Sequence, residues 1–307
     1  MNDTEQAKAA RAGALAVSRD DLVTFVVTGK DRVTWLNGLV TSDVAKLSPE
    51  RAGYTLAVGR NGRVLADMIV VTDDASASGP RLLLAVPGAV AEALWAHLDH
   101  YIVMEDVELG DGSAFRTWTI HGPASADALA AACEQGAVGG TLDLTGLGDA
   151  VAIAPVERAE AVAGALARVG LVGDATGWES LRLERAVPRF GVDFDDKTYP
   201  QEAALEKSAV AFDKGCYLGQ EVVFMLEKRG HVKRKLVPLV LEAAEAPPVG
   251  APVTDEAGVA AGEVTSAAIS PTLGKVVALA MVKRAHAAPG QRVLVGGTVA
   301  QVVERPA

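Results

Sequence analysis

The chain has 307 residues, half of them hydrophobic, which is more than one small domain needs and divides naturally into two or three. Its net charge of −10 at pH 7 argues against a general nucleic-acid binder, because such proteins draw most of their affinity from Lys and Arg neutralising phosphates. Two cysteines, Cys133 and Cys216, are too few for a disulfide framework and form no metal-ligand spacing.

The opening residues, MNDTEQAKAARAG, are polar with early acids, and nowhere do about 18 uncharged apolar residues run together, so neither a secretory leader nor a membrane span is predicted. A reduced, cytoplasmic location with no membrane partner is the expectation. LVTFVVTGKDRVTWLNGL then reads as a strand, a Gly-containing turn and a short helix for Asp31 to cap and Gly38 to stop. YTLAVGRNGRVLADMIVV holds two β-type runs joined at Asn61-Gly62, a strong hairpin signal. RLLLAVPGAVAEALWAHLDH predicts a strand ending at a proline and an amphipathic helix, on which His97 and His100 read as an exposed pair rather than metal ligands. FRTWTIHGPASADALAAAC and AVAIAPVERAEAVAGALARVG repeat these two plans, predicting two related α+β halves and placing Cys133 in a helix core.

WESLRLERAVPRFGVDF begins as a helix carrying Arg182 and Glu184 and breaks around Pro188 and Gly191. DKGCYLGQE follows at residues 213 to 221, and then a basic run, Lys228, Arg229, His231, Lys233, Arg234 and Lys235, on an otherwise acidic chain. Such a run is either a solvated loop or an anion site, and its place after the cysteine favours the site. From Lys235 onward, short Val-rich runs spaced by Gly and Pro predict a small barrel or sandwich. Domains are therefore expected over residues 1–110, 111–234 and 235–307, with the first two interleaved to some degree. Local chemistry leaves two readings of Cys216 open: a small buried residue in a tight turn, or a thiolate favoured by Lys214 and a helix start.

KGCYLGQE resembles the signature of the YgfZ family of folate-binding proteins, relatives of the aminomethyltransferase of the glycine cleavage system. GKDRVTWLNGLVTSDV, NGRVLADMIV, LRLERAVPRFGVDF with YPQEAAL, and GEVTSAAISPTLGKVVALAMV are similar to that superfamily in the same order, so the resemblance spans nearly the whole chain. It implies an α+β fold in which two related halves and a C-terminal small β-barrel form a three-domain ring around a cavity for tetrahydrofolate or a derivative. It places Asp67 where the aminomethyltransferases keep an acid beside the folate's reactive nitrogens. Arg182 and Glu184 match positions near the folate, and a guanidinium presents a rigid fork of donors suited to a carboxylate or pterin edge. Lys214, Gly215, Cys216, Tyr217, Gly219, Gln220 and Glu221 match the signature itself. One departure stands out: the family often follows its signature with an apolar pair and Ala-Arg, where this chain has Phe224 and Met225.

Three functions compete at this level. The YgfZ resemblance implies a folate-binding factor that assembles or repairs iron–sulfur clusters in transient client proteins, with Cys216 essential for activity. The wider superfamily implies a folate-dependent one-carbon transferase or demethylase, for which Asp67 is the needed acid or base. A cysteine hydrolase with His231 as base rests only on sequence proximity and is set aside. A polyglutamylated folate would reward the basic cluster, and no P-loop or dinucleotide fingerprint is present.

Overall fold

The computed structural model describes residues 2–305 and 307. A helix, α1 (Asp3–Ala12), and a strand, β1 (Leu15–Ser18), lead into the first repeated unit: β2 (Leu22–Thr28), α2 (Arg32–Asn37), β3 (Gly53–Val58), β4 (Val64–Asp73), β5 (Arg81–Pro87), α3 (Ala91–Asp99) and β6 (Glu108–Asp111). The second unit runs β7 (Phe115–His121), α4 (Ser125–Cys133), β8 (Val138–Leu142), β9 (Asp149–Pro155), α5 (Ala159–Val169), β10 (Leu171–Gly173) and α6 (Ala175–Glu184). Each unit builds a five-stranded sheet, in the orders β3-β4-β5-β2-β6 and β10-β1-β7-β9-β8. The N-terminal segment therefore belongs with the second sheet: β1 lies between β7 and β10, away from the strands that follow it in sequence.

The repeat has a local physical cause. The first helix of each unit follows a glycine in left-handed backbone, Gly29 (φ +96°) and Gly122 (φ +117°), where an added Cβ would strike a backbone oxygen at 2.0 and 2.5 Å. The second helix of each follows a strand ending at a proline, Pro87 or Pro155, and a single 3₁₀ turn. Asp31, expected to cap α2, instead turns its carboxylate to the Asp106 amide at 2.9 Å, and Gly38 stays in right-handed helical backbone. The loop before β6 outcompetes the helix end for the carboxylate. The Asn61-Gly62 turn joins β3 and β4 as a hairpin, with a bulge between Ala57 and Val58.

Alternation along the strands sorts side chains into layers. Phe25, Val27, Met68 and Val70 point at α2 and α3, while Trp118, Ile120, Ala150 and Ala152 point at α4 and α5. The opposite faces meet: Ile69, Val71, Leu83 and Ala85 of the first sheet pack on Val151 and Ile153 of the second. The result is a helix–sheet–sheet–helix stack. Cys133, expected in a helix core, is the last residue of α4 and exposed, and burial of its surroundings pushes its thiol up. The core positions of α4 are Ala128, Leu129 and Ala132, so the cysteine falls one step past the apolar stripe.

An irregular linker, α7 (Gln220–Lys228), and six strands complete the chain: β11 (Arg234–Leu241), β12 (Pro252–Thr254), β13 (Ala260–Ile269), β14 (Val276–Lys283), β15 (Arg292–Val295) and β16 (Thr298–Val302). These strands close into a barrel in the order β11-β14-β13-β12-β15-β16, which leaves no unpaired sheet edge. Leu183 of α6 packs on the barrel's outer face against Leu236, Val277 and Leu279. Among the described residues, no helix is long and apolar enough to cross a membrane.

Candidate functional site

Asp67 sits mid-strand on β4, on the same face as Ile69 and Val71, and so points into the layer between the sheets. Toward the hairpin end of that layer the second sheet gives way to α6 and the linker, and a cavity remains. Arg19, Tyr54, Asp67, Leu144, Trp178 and Arg189 are among the walls of this cavity, which is partly open to solvent. Tyr54, diagonal to Asp67 on the paired strand, donates its hydroxyl to the carboxylate at 2.8 Å. Burial pushes the Asp67 carboxyl above its ordinary value; the Tyr54 hydrogen bond and the Arg19 charge pull the other way without cancelling it. A positioned carboxyl with an elevated pKa in a cavity is the usual profile of a group that exchanges protons.

Arg19 is fixed from two sides. It donates to both oxygens of Asp21 at 2.8 Å, and its guanidinium lies over the Trp178 ring, 5.1 Å from the centroid. Trp178 in turn stacks on His121, ring centroids 4.6 Å apart and 14° between planes. His121 is fully buried and bonds through Nδ1 to Asp149 at 2.8 Å. Burial raises the Asp149 carboxyl, but His121 and Thr145 together hold it below its ordinary value. A rigid column thus runs from the core of the second sheet, Asp149 to His121 to Trp178, to the cavity wall at Arg19. Arg19, Tyr54, Trp178, His121 and Asp149 were all missed by sequence reasoning. Only His121 and Asp149 gave any signal, polar residues at the ends of strands that otherwise alternate apolar, and nothing local revealed that they meet.

Of the residues expected near the folate, Asp67 alone lines the cavity. Arg182 is wholly buried and faces away: it donates to Asp193 at 2.8 Å, to the Val187 carbonyl at 3.3 Å and with both Nε and Nη2 to Glu179. Asp193 also accepts from the Arg189 amide, Thr265 and Ser266, so the group ties the linker to the barrel. Glu184 is likewise buried and is a second tie, accepting from Ser270, from Thr272 and from Arg11 at 2.9 Å. Burial pushes the Glu184 carboxyl up, and these donors bring it below its ordinary value. The fork geometry that recommended Arg182 for a ligand is spent on protein carboxylates.

The KGCYLGQE stretch is a strap across the first unit. Lys214 does not approach a thiolate; its ammonium donates to the carbonyls of Asn37, Val40 and Ser42 at 2.6, 2.8 and 2.7 Å, and burial lowers its pKa to about 8. Tyr217 is buried against Leu56, Val58 and Val64 of the hairpin. Gly219 takes left-handed backbone (φ +76°) so close to Gly59 that a Cβ would lie 2.3 Å from its carbonyl oxygen, whereas Gly215 has open space around it. The glycine at 219 is therefore a steric requirement and that at 215 is not. Cys216 is exposed, four residues before the start of α7, so it is neither the buried turn residue nor a thiol at a helix terminus. Gln220 and Glu221 open α7 outside the cavity, Glu221 exposed on its surface. Phe224 packs edge-on against Phe212, and Met225 is exposed.

The basic cluster is divided. Arg234 and Lys235 pair with Glu202 and Glu206, while Lys228, Arg229, His231 and Lys233 are left on the surface. The helix α7 meets the hairpin at its tip, Val222 against Gly62, which at about 3.3 Å per residue is roughly 16 Å along the strand from Asp67. His97 is half-buried beside Tyr101 rather than exposed, and His100 is exposed.

Comparison with known proteins bears on this arrangement. Residues 3–145 match the family described as GCVT N-terminal domain, and residues 234–307 the glycine cleavage T-protein C-terminal barrel domain. An aminomethyltransferase of Nostoc sp. is 30% identical, over 99% of this chain and 87% of its own length. One from Streptomyces coelicolor is 29% identical, over 91% and 80%. The fold is that of the crystal structure of glycine cleavage system aminomethyltransferase T from Bartonella henselae: TM-score 0.83, 23% identity, 99% of this chain and 89% of that one.

Proposed function

The chain belongs to the glycine cleavage T-protein family of aminomethyltransferases, and from that premise we propose that it binds tetrahydrofolate or a close derivative in the Asp67 cavity and transfers a one-carbon unit there. The observation that carries the reading is the Asp67 carboxyl, held by Tyr54 in a cavity and raised by burial. The donor set fits the ligand: an aromatic wall at Trp178, apolar surface from Leu144 and Val187, one proton-exchanging carboxyl and a fixed guanidinium. Tetrahydrofolate, when bound, supplies the nitrogens that accept the one-carbon unit. Asp67 holds or releases the proton that the transfer requires, Tyr54 aims the carboxyl, and Arg19, locked by Asp21 and Trp178, supplies a fixed positive charge beside it. Calorimetric titration with tetrahydrofolate should give one site per chain; a well-folded protein that binds none would sink the proposal.

A second reading rests on Cys216. Its strap is anchored by Lys214, Tyr217 and Gly219 while the thiol stays exposed, which supports an additional role toward a transient partner, as the YgfZ resemblance implies for iron–sulfur proteins. In cells lacking the protein, Cys216→Ser should keep folate binding and fail to restore iron–sulfur enzyme activity. Full restoration would remove this reading and leave the transferase untouched.

A further inference from the structure

The buried pair His121–Asp149 has no part in the chemistry proposed above, yet both members are tied to walls of the Asp67 cavity. They are cross-strand partners at the end of β7 and the start of β9, and each is almost wholly buried. Asp149 accepts from the Leu144 amide at 2.6 Å, the Thr145 amide at 2.6 Å and the Thr145 hydroxyl at 2.8 Å, besides its 2.8 Å contact with Nδ1 of His121. As an ionised carboxylate it can only accept, so Nδ1 carries a proton and donates, which orients the imidazole. Leu144 is itself a cavity wall, so Asp149 holds that wall directly and the Trp178 wall through His121. Nε2 of His121 and Nε1 of Trp178 are both buried, and among the described residues neither has a hydrogen-bond partner. The Asp149 bond therefore sets the imidazole plane, and the stack on that imidazole sets the indole plane, since Leu15, Val17 and Leu181 around Trp178 offer apolar contact without direction. Arg19 depends on that indole in turn. Its partner Asp21 is half exposed, and an ion pair open to water holds a guanidinium weakly, so the indole face is the buried contact that keeps it in place.

We propose that His121, with Asp149 behind it, is a positioning residue for the Asp67 site: through the Trp178 ring it keeps the Arg19 guanidinium beside the Asp67 carboxyl. The inference rests on the folate reading for the use made of the Asp67 proton, and adds to it what governs that proton. Burial strengthens the hold of Asp67 on its proton, Tyr54 and the Arg19 charge weaken it, and the Asp21 charge strengthens it again. Arg189, in the linker, is the remaining charged group on the cavity walls among the described residues. An Arg19 released from the indole face leaves Asp67 with a tighter hold on its proton, although no group hydrogen-bonded to Asp67 has changed.

The test follows the Asp67 carboxyl by carbon-13 NMR of the full chain labelled at its aspartates, the resonance being the one that Asp67→Asn removes. Arg19→Met, which deletes the charge, should raise the titration midpoint by about 1 pH unit, the low end of what a nearby opposite charge contributes. His121→Gln keeps a donor for Asp149 and removes the ring stacked on Trp178; it should raise the midpoint by about half that amount or more, with every charge facing Asp67 still present. Ile120→Val, on the opposite face of β7 against α4 and α5, costs stability without reaching the column and should leave the midpoint where it is. A native midpoint in His121→Gln, an equal rise in Ile120→Val, or an unmoved midpoint in Arg19→Met would each overturn the inference. Should His121→Gln not fold, Trp178→Leu, which leaves the His121–Asp149 bond in place, is judged by the same rise. The free protein is titrated, so no outcome depends on tetrahydrofolate: loss of the positioning role leaves the folate reading standing, and a chain that binds no folate still shows whether His121 governs Asp67.

Discussion

Asp67→Asn should lower the rate of one-carbon transfer by about 10²- to 10⁴-fold, the usual contribution of a positioned acid or base, while tetrahydrofolate still binds. Asparagine keeps the shape and can still meet the Tyr54 hydroxyl, so the loss isolates the proton. The variant should also be at least as stable as the native chain at neutral pH. Burial raises the folded carboxyl above its unfolded value, so the folded state holds the proton more tightly than the unfolded chain does. Its favourable contribution is therefore complete below the unfolded pKa and lost as pH climbs through the folded one, after which the ionised group is a desolvation cost that asparagine removes. Tyr54→Phe gives the complementary result. Without the hydroxyl that lowers it, the Asp67 pKa rises further, and the acid limb of the pH–rate profile moves to higher pH. Transfer at native rates by Asp67→Asn would end the assignment of this carboxyl.

Arg182→Ala should be the most damaging single change to the fold, destabilising by about 3–5 kcal/mol, the cost of leaving a buried ion without its partner. The variant removes the guanidinium between Glu179 and Asp193 and strands the Asp193 carboxylate, which is wholly buried and whose other donors among the described residues are the Arg189 amide and the Thr265 and Ser266 hydroxyls. Chemical denaturation should show the loss, together with a melting temperature lower by about 5–8 °C. A variant that melted like the native chain and lost only folate affinity would restore Arg182 to the role its sequence position had implied.

The difference between these two residues marks how far a sequence read by itself reaches. The repeated strand, glycine, helix and strand, proline, helix plans were legible because they are local: backbone sign at Gly29 and Gly122, the start of a helix after Pro87 and Pro155, and alternation along β-type runs act within a few residues. So were the Asn61-Gly62 hairpin and the Val-rich end that closes into a barrel. Asp67 was found through resemblance, and strand period then placed it on the inward face. Partner choice was not legible. Arg182, Glu184 and Lys214 carry charges that suit a ligand, and whether each meets a ligand, a carboxylate or three carbonyls depends on segments far away in the chain: Asp193 and Ser266, Ser270 and Arg11, Asn37 to Ser42. Cys133 failed for a smaller reason, since one step around a helix exchanges core for surface. The column of Asp149, His121, Trp178 and Arg19 joins a second-sheet strand, α6 and the N-terminal segment, and no local pattern encodes that meeting. Sequence by itself determined most of the elements and the wider aminomethyltransferase-like superfamily, because propensity, turn chemistry, periodicity and motifs are local features of the chain. Tertiary structure decided which charged groups remain free to act, because that depends on which distant partners have already satisfied them.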